Sequence, residues 1–272
     1  MRHPSWPKRC LFACLPLTLA IQSAGLHAEP SPELPDHCQV GCPVGGGEQT
    51  LYRHGYALNN NPQTKFANWV AYRITAQTQA HGAKREWKAD PDIDEANTLE
   101  PADYKHANGT LGVDRGHQAN LASMAGVPNA YELNYLSNIT PQMGNLNKGA
   151  WEKLESRERN LARDEGVDAV YVLTGPLYEA DMDPLPEADE PHRIPSGYWK
   201  VLFIGDTPQQ ASHAAFVMSQ ATPFNAGFCD YQVTVEEIEK RAGLKLWSDL
   251  PADQAVPLKA AKGDLAKQRL GC

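Results

Sequence analysis

The spacing of apolar and polar positions changes along the chain, and each change marks an element. Cys10–Ile21 is a short apolar run behind Arg2, Lys8 and Arg9. The chain then turns polar and proline-rich at Glu29-Pro30-Ser31-Pro32, the layout of an export leader cut after Ala28. The run is too short to span a bilayer. Leu51–Leu58 and Phe66–Thr75 carry the β-branched and aromatic content of buried strands, and Asn59–Pro62 between them is turn-forming, which predicts a hairpin. Residues 76–113 form a long polar stretch, and unpatterned chain of that length inside a domain usually serves or covers a site. Leu111–His117 reads as a short strand and Asn120–Gly126 as a helical turn or loop. Glu132–Thr140 begins helically, finishes extended and is broken by Pro141.

Asn147–Asp164 gives the strongest helical pattern. Ala150, Leu154 and Leu161 recur at helical spacing with Trp151 beside them, and Gly166 suits the C-terminal stop. At about 100° per residue, Glu155 and Arg159 share a flank next to this apolar stripe, with Asn147 in or just before the first turn. Val167–Thr174, Tyr198–Ile204, His213–Met218 and Tyr231–Val235 read as further strands, with an acidic, proline-rich surface excursion over 179–196. Thr234–Glu237 is a capping box opening a helix that stops at Gly243. Strands in neighbouring runs with few alternating helices predict an α+β domain over residues 29–272: a central, mainly antiparallel sheet flanked by helices and long loops.

Length and composition agree with one domain: 272 residues, 42% apolar and 21% charged. The formal charge is −8, and loss of a leader carrying three cations would take it to about −11, which argues against a general polyanion binder. Any attraction for nucleic acid must come from a local cluster of cations and a metal. Six cysteines become four once Cys10 and Cys14 leave with the leader. An even count in an exported chain implies two disulfides, and four cysteines allow three pairings. Nearness in sequence favours Cys38–Cys42, leaving Cys229–Cys272 to tie down the tail. A zinc site is disfavoured, because there is no CxxC pair and Cys272 is terminal.

The chemistry concentrates at Asp114-Arg115-Gly116-His117, followed by Asn147, Glu155 and Arg159. An imidazole can take a proton near neutral pH. Amide and carboxylate oxygens suit a hard, water-rich cation. Guanidiniums clamp phosphate. Singly, each residue has a plainer role: Arg115 an ion-pair partner of Asp114, Asn147 a helix cap, Glu155 and Arg159 an i,i+4 pair worth a few tenths of a kcal/mol. His37, His54, His81, His106, His192 and His213 read as structural or surface histidines, and the acidic residues of 181–189 as a solvated loop.

Taken together, Asp114–Ala119, Leu133–Gln142 and Leu146–Glu155 resemble the DNA/RNA non-specific endonuclease family, the ββα-metal nucleases, and in particular its secreted members. The likeness runs from about Cys38 to Cys272 and takes in the Ala67–Tyr72 and Thr174–Tyr178 runs and the cysteine spacing. It implies a ββα-metal site motif and a secreted or periplasmic endonuclease that cuts DNA and RNA, single- or double-stranded, to 5′-phosphate products. Position by position it implies His117 as general base and Asn147 as the direct protein ligand of one Mg²⁺, with Mn²⁺ as a substitute. Glu155 would orient water at the metal. Arg115 and Arg159 would sit near the phosphate, and Arg85 would act on the transition state. Asn134, Asn138 and Gln142 would line the site. Lys148 stands where the family pattern leads one to expect glutamine. The resemblance allows a homodimer and no membrane contact, and the family's disulfide pairing matches the one above. Two other readings compete: a nuclease-fold protein that binds nucleic acid without turnover, and a phosphodiesterase for small nucleotides.

Overall fold

The β-branched and aromatic runs pair, in the computed structural model, into a seven-stranded sheet. The structure describes Met1 and residues 36–207 and 212–272, so the leader read over 1–28 and its cut lie outside what is described. Leu34–Cys272 forms one compact unit. The strands are β1 (Thr50–Tyr52), β2 (Ala57–Asn60), β3 (Ala67–Ile74), β4 (Val113–His117), β5 (Ile139–Met143), β6 (Val170–Leu177), β7 (Gly197–Ile204), β8 (Ser212–Ser219) and β9 (Gln232–Val233). The main sheet runs β1-β2-β3-β6-β7-β8-β9 with every neighbour antiparallel, and β4 and β5 form a separate two-stranded ribbon. The helices are α1 (Ala107–Leu111), α2 (Leu121–Met124), α3 (Gly144–Asn147), α4 (Ala150–Leu161), α5 (Val235–Ala242), α6 (Ala252–Ala260) and α7 (Leu265–Gln268). The α+β reading with a mainly antiparallel sheet is what the molecule has. Among the described residues, no helix is long and apolar enough to cross a membrane.

Alternation along the strands gives the sheet two dressed faces. On one face Tyr72, Tyr198, Leu202 and Phe216 pack with Trp151, Leu154 and Leu161 of α4 and with Leu265 and Leu270 of the tail. On the other, Trp199, Val201 and Phe203 pack with Val235 and Ile238 of α5 and with Trp247. Each fully buried Leu or Ile here contributes about 1.5–3 kcal/mol. Both expected disulfides are present, Cys38–Cys42 and Cys229–Cys272. The second ties the tail beside α7.

Four expectations change. The strand read over 51–58 is two strands separated by a turn, closed by Arg53 N–H donating to Tyr56 O at 2.8 Å. Pro141 does not break the extended segment; it lies inside β5, opposite Arg115. A two-stranded ribbon has free outer edges, so a residue without an N–H is tolerated. The helix read over 147–164 is two pieces, with Asn147 ending α3 and α4 starting at Ala150. A Cβ on Gly149 at the junction would lie 2.3 Å from Asn145 O and 2.5 Å from Phe224 O, so only glycine fits at the break. The next strand runs on through Gly175-Pro176 to Leu177, three residues past Thr174.

The polar stretch 76–113 is held against the body by an ion pair that sequence reading missed. Arg53 Nη2 lies 2.6 Å from Asp90 Oδ1, both side chains essentially buried, and Ser137 Oγ donates to the other Asp90 oxygen. Leu136 N–H donates to Lys88 O at 2.9 Å. Arg85 and Trp87 are thereby carried to the mouth of the β4–β5 ribbon.

Candidate active site

A cleft of about 870 Å³ opens where the ribbon, α4 and the 80–87 loop meet. Its walls include Arg85, Trp87, Arg115, His117, Asn120, Asn147, Lys148, Glu155 and Arg159. The structure thus brings His117, Asn147, Glu155 and the three arginines around one space.

His117 is the last residue of β4, where the ribbon delivers it to the cleft. Its Nε2 is 3.2 Å from Asn134 Oδ1, and Asn134 Nδ2 donates to Lys84 O at 3.1 Å. That second bond orients the amide so that its oxygen accepts from the ring. Nε2 then carries the proton and Nδ1 is left as the basic nitrogen. The Trp87 indole covers the ring. Burial pushes the imidazole down from its ordinary value to about 4; the bond to Asn134 opposes the shift and the charge of Arg85 adds to it. The ring stays neutral, and so basic, across the neutral range.

Asp114 and Arg115 are neighbours in a strand and point to opposite sides. They do not pair. Asp114 Oδ2 accepts from Asn147 Nδ2 at 3.1 Å and lies 2.7 Å from Lys148 Nζ. Asn108 Nδ2 donates to Oδ1 at 3.1 Å. This fixes the Asn147 amide through its nitrogen and leaves its oxygen as a donor atom for a cation. Arg115 instead stacks between Tyr104 and Trp87, with its carbon 5.2 and 5.6 Å from the ring centroids, and Nη2 donates to Pro101 O at 3.2 Å. Arg85 is exposed on the cleft rim.

Glu155 and Arg159 do not form an i,i+4 pair either. Both are bridged by Asn120, which the sequence reading left out. Asn120 Nδ2 donates to Glu155 Oε2 at 2.6 Å, and Asn120 Oδ1 accepts from Arg159 Nη1 at 3.1 Å. Glu155 is only 6% exposed. Burial is the first cause that pushes its carboxyl up to about 7; Lys200 works against the shift and Glu158 with it.

Asn134, Asn138 and Gln142 are nearly fully buried, and none of them lines the cleft. They stand just behind the cleft wall. Asn134 orients His117. Asn138 accepts from Ala119 N–H at 2.8 Å and donates to Ala119 O and Leu133 O, which pins the chain just after the histidine. Gln142 packs over Gly116, where a Cβ would meet its side-chain oxygen at 2.7 Å. A strand residue's position in a motif says that it belongs to the site region, not which face it occupies.

The donor set fits a hard cation. An oriented amide oxygen on Asn147 and a buried carboxylate on Glu155 share a wall of the cleft, with room for the waters Mg²⁺ retains. A second group of oxygens exists: Asp103, Asp189 and Glu190 lie within 4.8 Å of one another. None of the three lines the cleft.

The family model of DNA/RNA non-specific endonucleases matches residues 34–253. The chain is similar to a nuclease of Serratia marcescens, 54% identical over 238 residues, covering 87% of this chain and 89% of that one. It is also similar to human mitochondrial endonuclease G, 31% identical over 216 residues, covering 73% and 69% of the two chains. Among solved structures, a chain from the EndoG/EndoGI complex matches with a TM-score of 0.67 over 80% of this chain and 92% of that one. At 24% identity that last likeness shows the fold alone.

Proposed function

Because the chain belongs to the DNA/RNA non-specific endonuclease family, and is thus an enzyme acting on nucleic acid, we propose that it cuts both DNA and RNA to 5′-phosphate ends, with His117 as base and Mg²⁺ at Asn147. The observation that carries the reading is the tautomer lock on His117: Nε2 is committed to Asn134, so Nδ1 is the atom that accepts a proton. His117 takes that proton from a water, which attacks phosphorus in line. Since the nucleophile is water, no 2′-hydroxyl is needed and the sugar is not discriminated. Arg115, rigid between two aromatic rings, offers its guanidinium to the phosphate oxygens, and Arg85 and Arg159 add charge from the rim and from α4. The P–O3′ bond breaks as the water attacks, and a second water, oriented by Glu155 as Asn120 holds it, gives its proton to the leaving 3′ oxygen. When bound, Mg²⁺ would supply Lewis-acid stabilisation of the charge developing on the phosphate and the leaving oxygen.

The two disulfides support a working place outside the cytoplasm, in the periplasm or medium. The test is digestion of supercoiled plasmid, single-stranded DNA and ribosomal RNA by the protein with Mg²⁺, with EDTA, and as His117→Ala. All three substrates should be cut, and both EDTA and the substitution should stop cutting. Retention of nucleic acid without cleavage would replace this reading with that of a binding protein.

A further inference from the structure

Directly behind Glu155 sits a lysine with no exposure at all. Lys200 is in the middle of β7, on the sheet face that carries Tyr198 and Leu202 and receives α4. Its Nζ lies 3.0 Å from Glu158 Oε1 and 3.6 Å from Glu155 Oε1, donates to Tyr72 OH at 3.2 Å, and stands 4.6 Å from the Trp151 ring centroid. Tyr72 OH in turn donates to Glu158 Oε2 at 3.3 Å. Lys200 and Glu158 are both 0% exposed, so this is an ionic group sealed in the core.

A strand lysine in an apolar core has a large desolvation cost, and a well-packed apolar residue would usually serve stability as well or better. The arrangement therefore calls for a reason other than packing. Glu158 matches the ammonium in charge at the shorter distance. The second carboxylate that Lys200 faces is Glu155. The ammonium faces Oε1 at the ion-pair distance of 3.6 Å, while Asn120 Nδ2 donates to Oε2 at 2.6 Å. A carboxylate with a charge facing one oxygen and a hydrogen bond on the other is biased towards one rotation about its own axis.

We propose that Lys200 is a positioning residue, buried outside the cleft, whose ammonium orients the Glu155 carboxylate for its task at the cation and the leaving group. The inference rests on the role of Glu155 in the reading above. Outer partners that orient a metal site's oxygens usually change affinity or activity by about 10–100-fold when removed.

The test is a double-mutant cycle between Lys200→Met and Glu155→Ala, read by kcat and KM on a duplex DNA substrate with Mg²⁺ and by calorimetric titration of Mg²⁺ into the metal-free protein. Lys200→Met should lower kcat by about 10–100-fold, leave KM within about twofold and weaken Mg²⁺ binding about tenfold. In the Glu155→Ala background the same change should add less than about twofold to either readout, because nothing remains to be positioned. Equal losses in both backgrounds would make Lys200 a structural residue and overturn the inference. Should Lys200→Met not fold, Lys200→Met with Glu158→Gln removes the charge pair together. That folded variant should show the same loss, and full turnover by it would overturn the inference. No cleavage by the unmodified protein would instead overturn the reading of function.

Discussion

The indole of Trp87 and the imidazole of His117 lie 5.3 Å apart, centroid to centroid, tilted by 40°. The pair joins the 76–113 stretch to the end of β4, and it is part of why the imidazole is poorly solvated. Desolvation penalises the imidazolium and not the neutral ring, so the group is a base over a wider range than free histidine.

A pH profile reads this directly. In its proposed role as base, His117 acts only when unprotonated, that is, above its pKa, and burial moves that pKa to about 4. At saturating Mg²⁺, the acid limb of kcat/KM set by this residue should lie well below 6.5. Trp87→Ala admits water and should move the limb upward, so that activity at pH 5 relative to pH 8 drops by about tenfold more than in the parent. Superimposable profiles would show that the indole does not set the basicity of the ring.

Asn120 holds one helix and the two side chains proposed to act beside the phosphate and the metal. Its Oδ1 accepts from Ser123 N–H at 3.0 Å, which caps α2, while the same amide bridges Glu155 and Arg159. Serine can cap but is too short to bridge. Asn120→Ser should therefore keep the unfolding midpoint nearly unchanged and lower kcat about 10–100-fold, whereas Asn120→Ala should lose about 1 kcal/mol of stability as well. Chemical denaturation and steady-state turnover separate the two effects.

Arg53 and Asp90 form the buried tie under the loop that carries Arg85 and Trp87. Arg53→Met strands the Asp90 carboxylate and should cost about 3–5 kcal/mol. A urea unfolding curve would measure it. A loss below about 1 kcal/mol would mean that the tie carries little of the loop's attachment.

Cys229–Cys272 closes 43 residues of chain separation. Leu265, Ala266 and Leu270, within that span, are buried in the core shared with α4. Replacing both cysteines by serine should cost about 4 kcal/mol on the chain-entropy account. Differential scanning calorimetry should show one transition at lower temperature; an unchanged midpoint would make the crosslink thermodynamically silent.

The sequence was informative where chemistry and short-range pattern coincide. His117, Asn147, Glu155, Arg115 and Arg159 were legible because their residue types, spacing and family pattern agree, and the structure sets them around one cleft. The broken start of α4 was not legible, because the crowding at Gly149 comes partly from the Phe224 backbone, far along the chain, as well as from Asn145 O nearby. Nor was the burial of Asn138 and Gln142, which depends on the side of the ribbon they face. Lys200 was hidden most completely. A lysine in a strand reads as a solvent-facing position, and only the pairing of β7 inside the sheet, with α4 laid over it, reveals a charge in the core.

The two faces of the main sheet have a practical corollary for anyone who wants the enzyme on a solid support. The cleft opens on the α4 side, while α5 covers the reverse and presents Lys240 to solvent. A bead or resin coupled through that lysine would meet the molecule from behind, and long polymers would still reach the cutting edge.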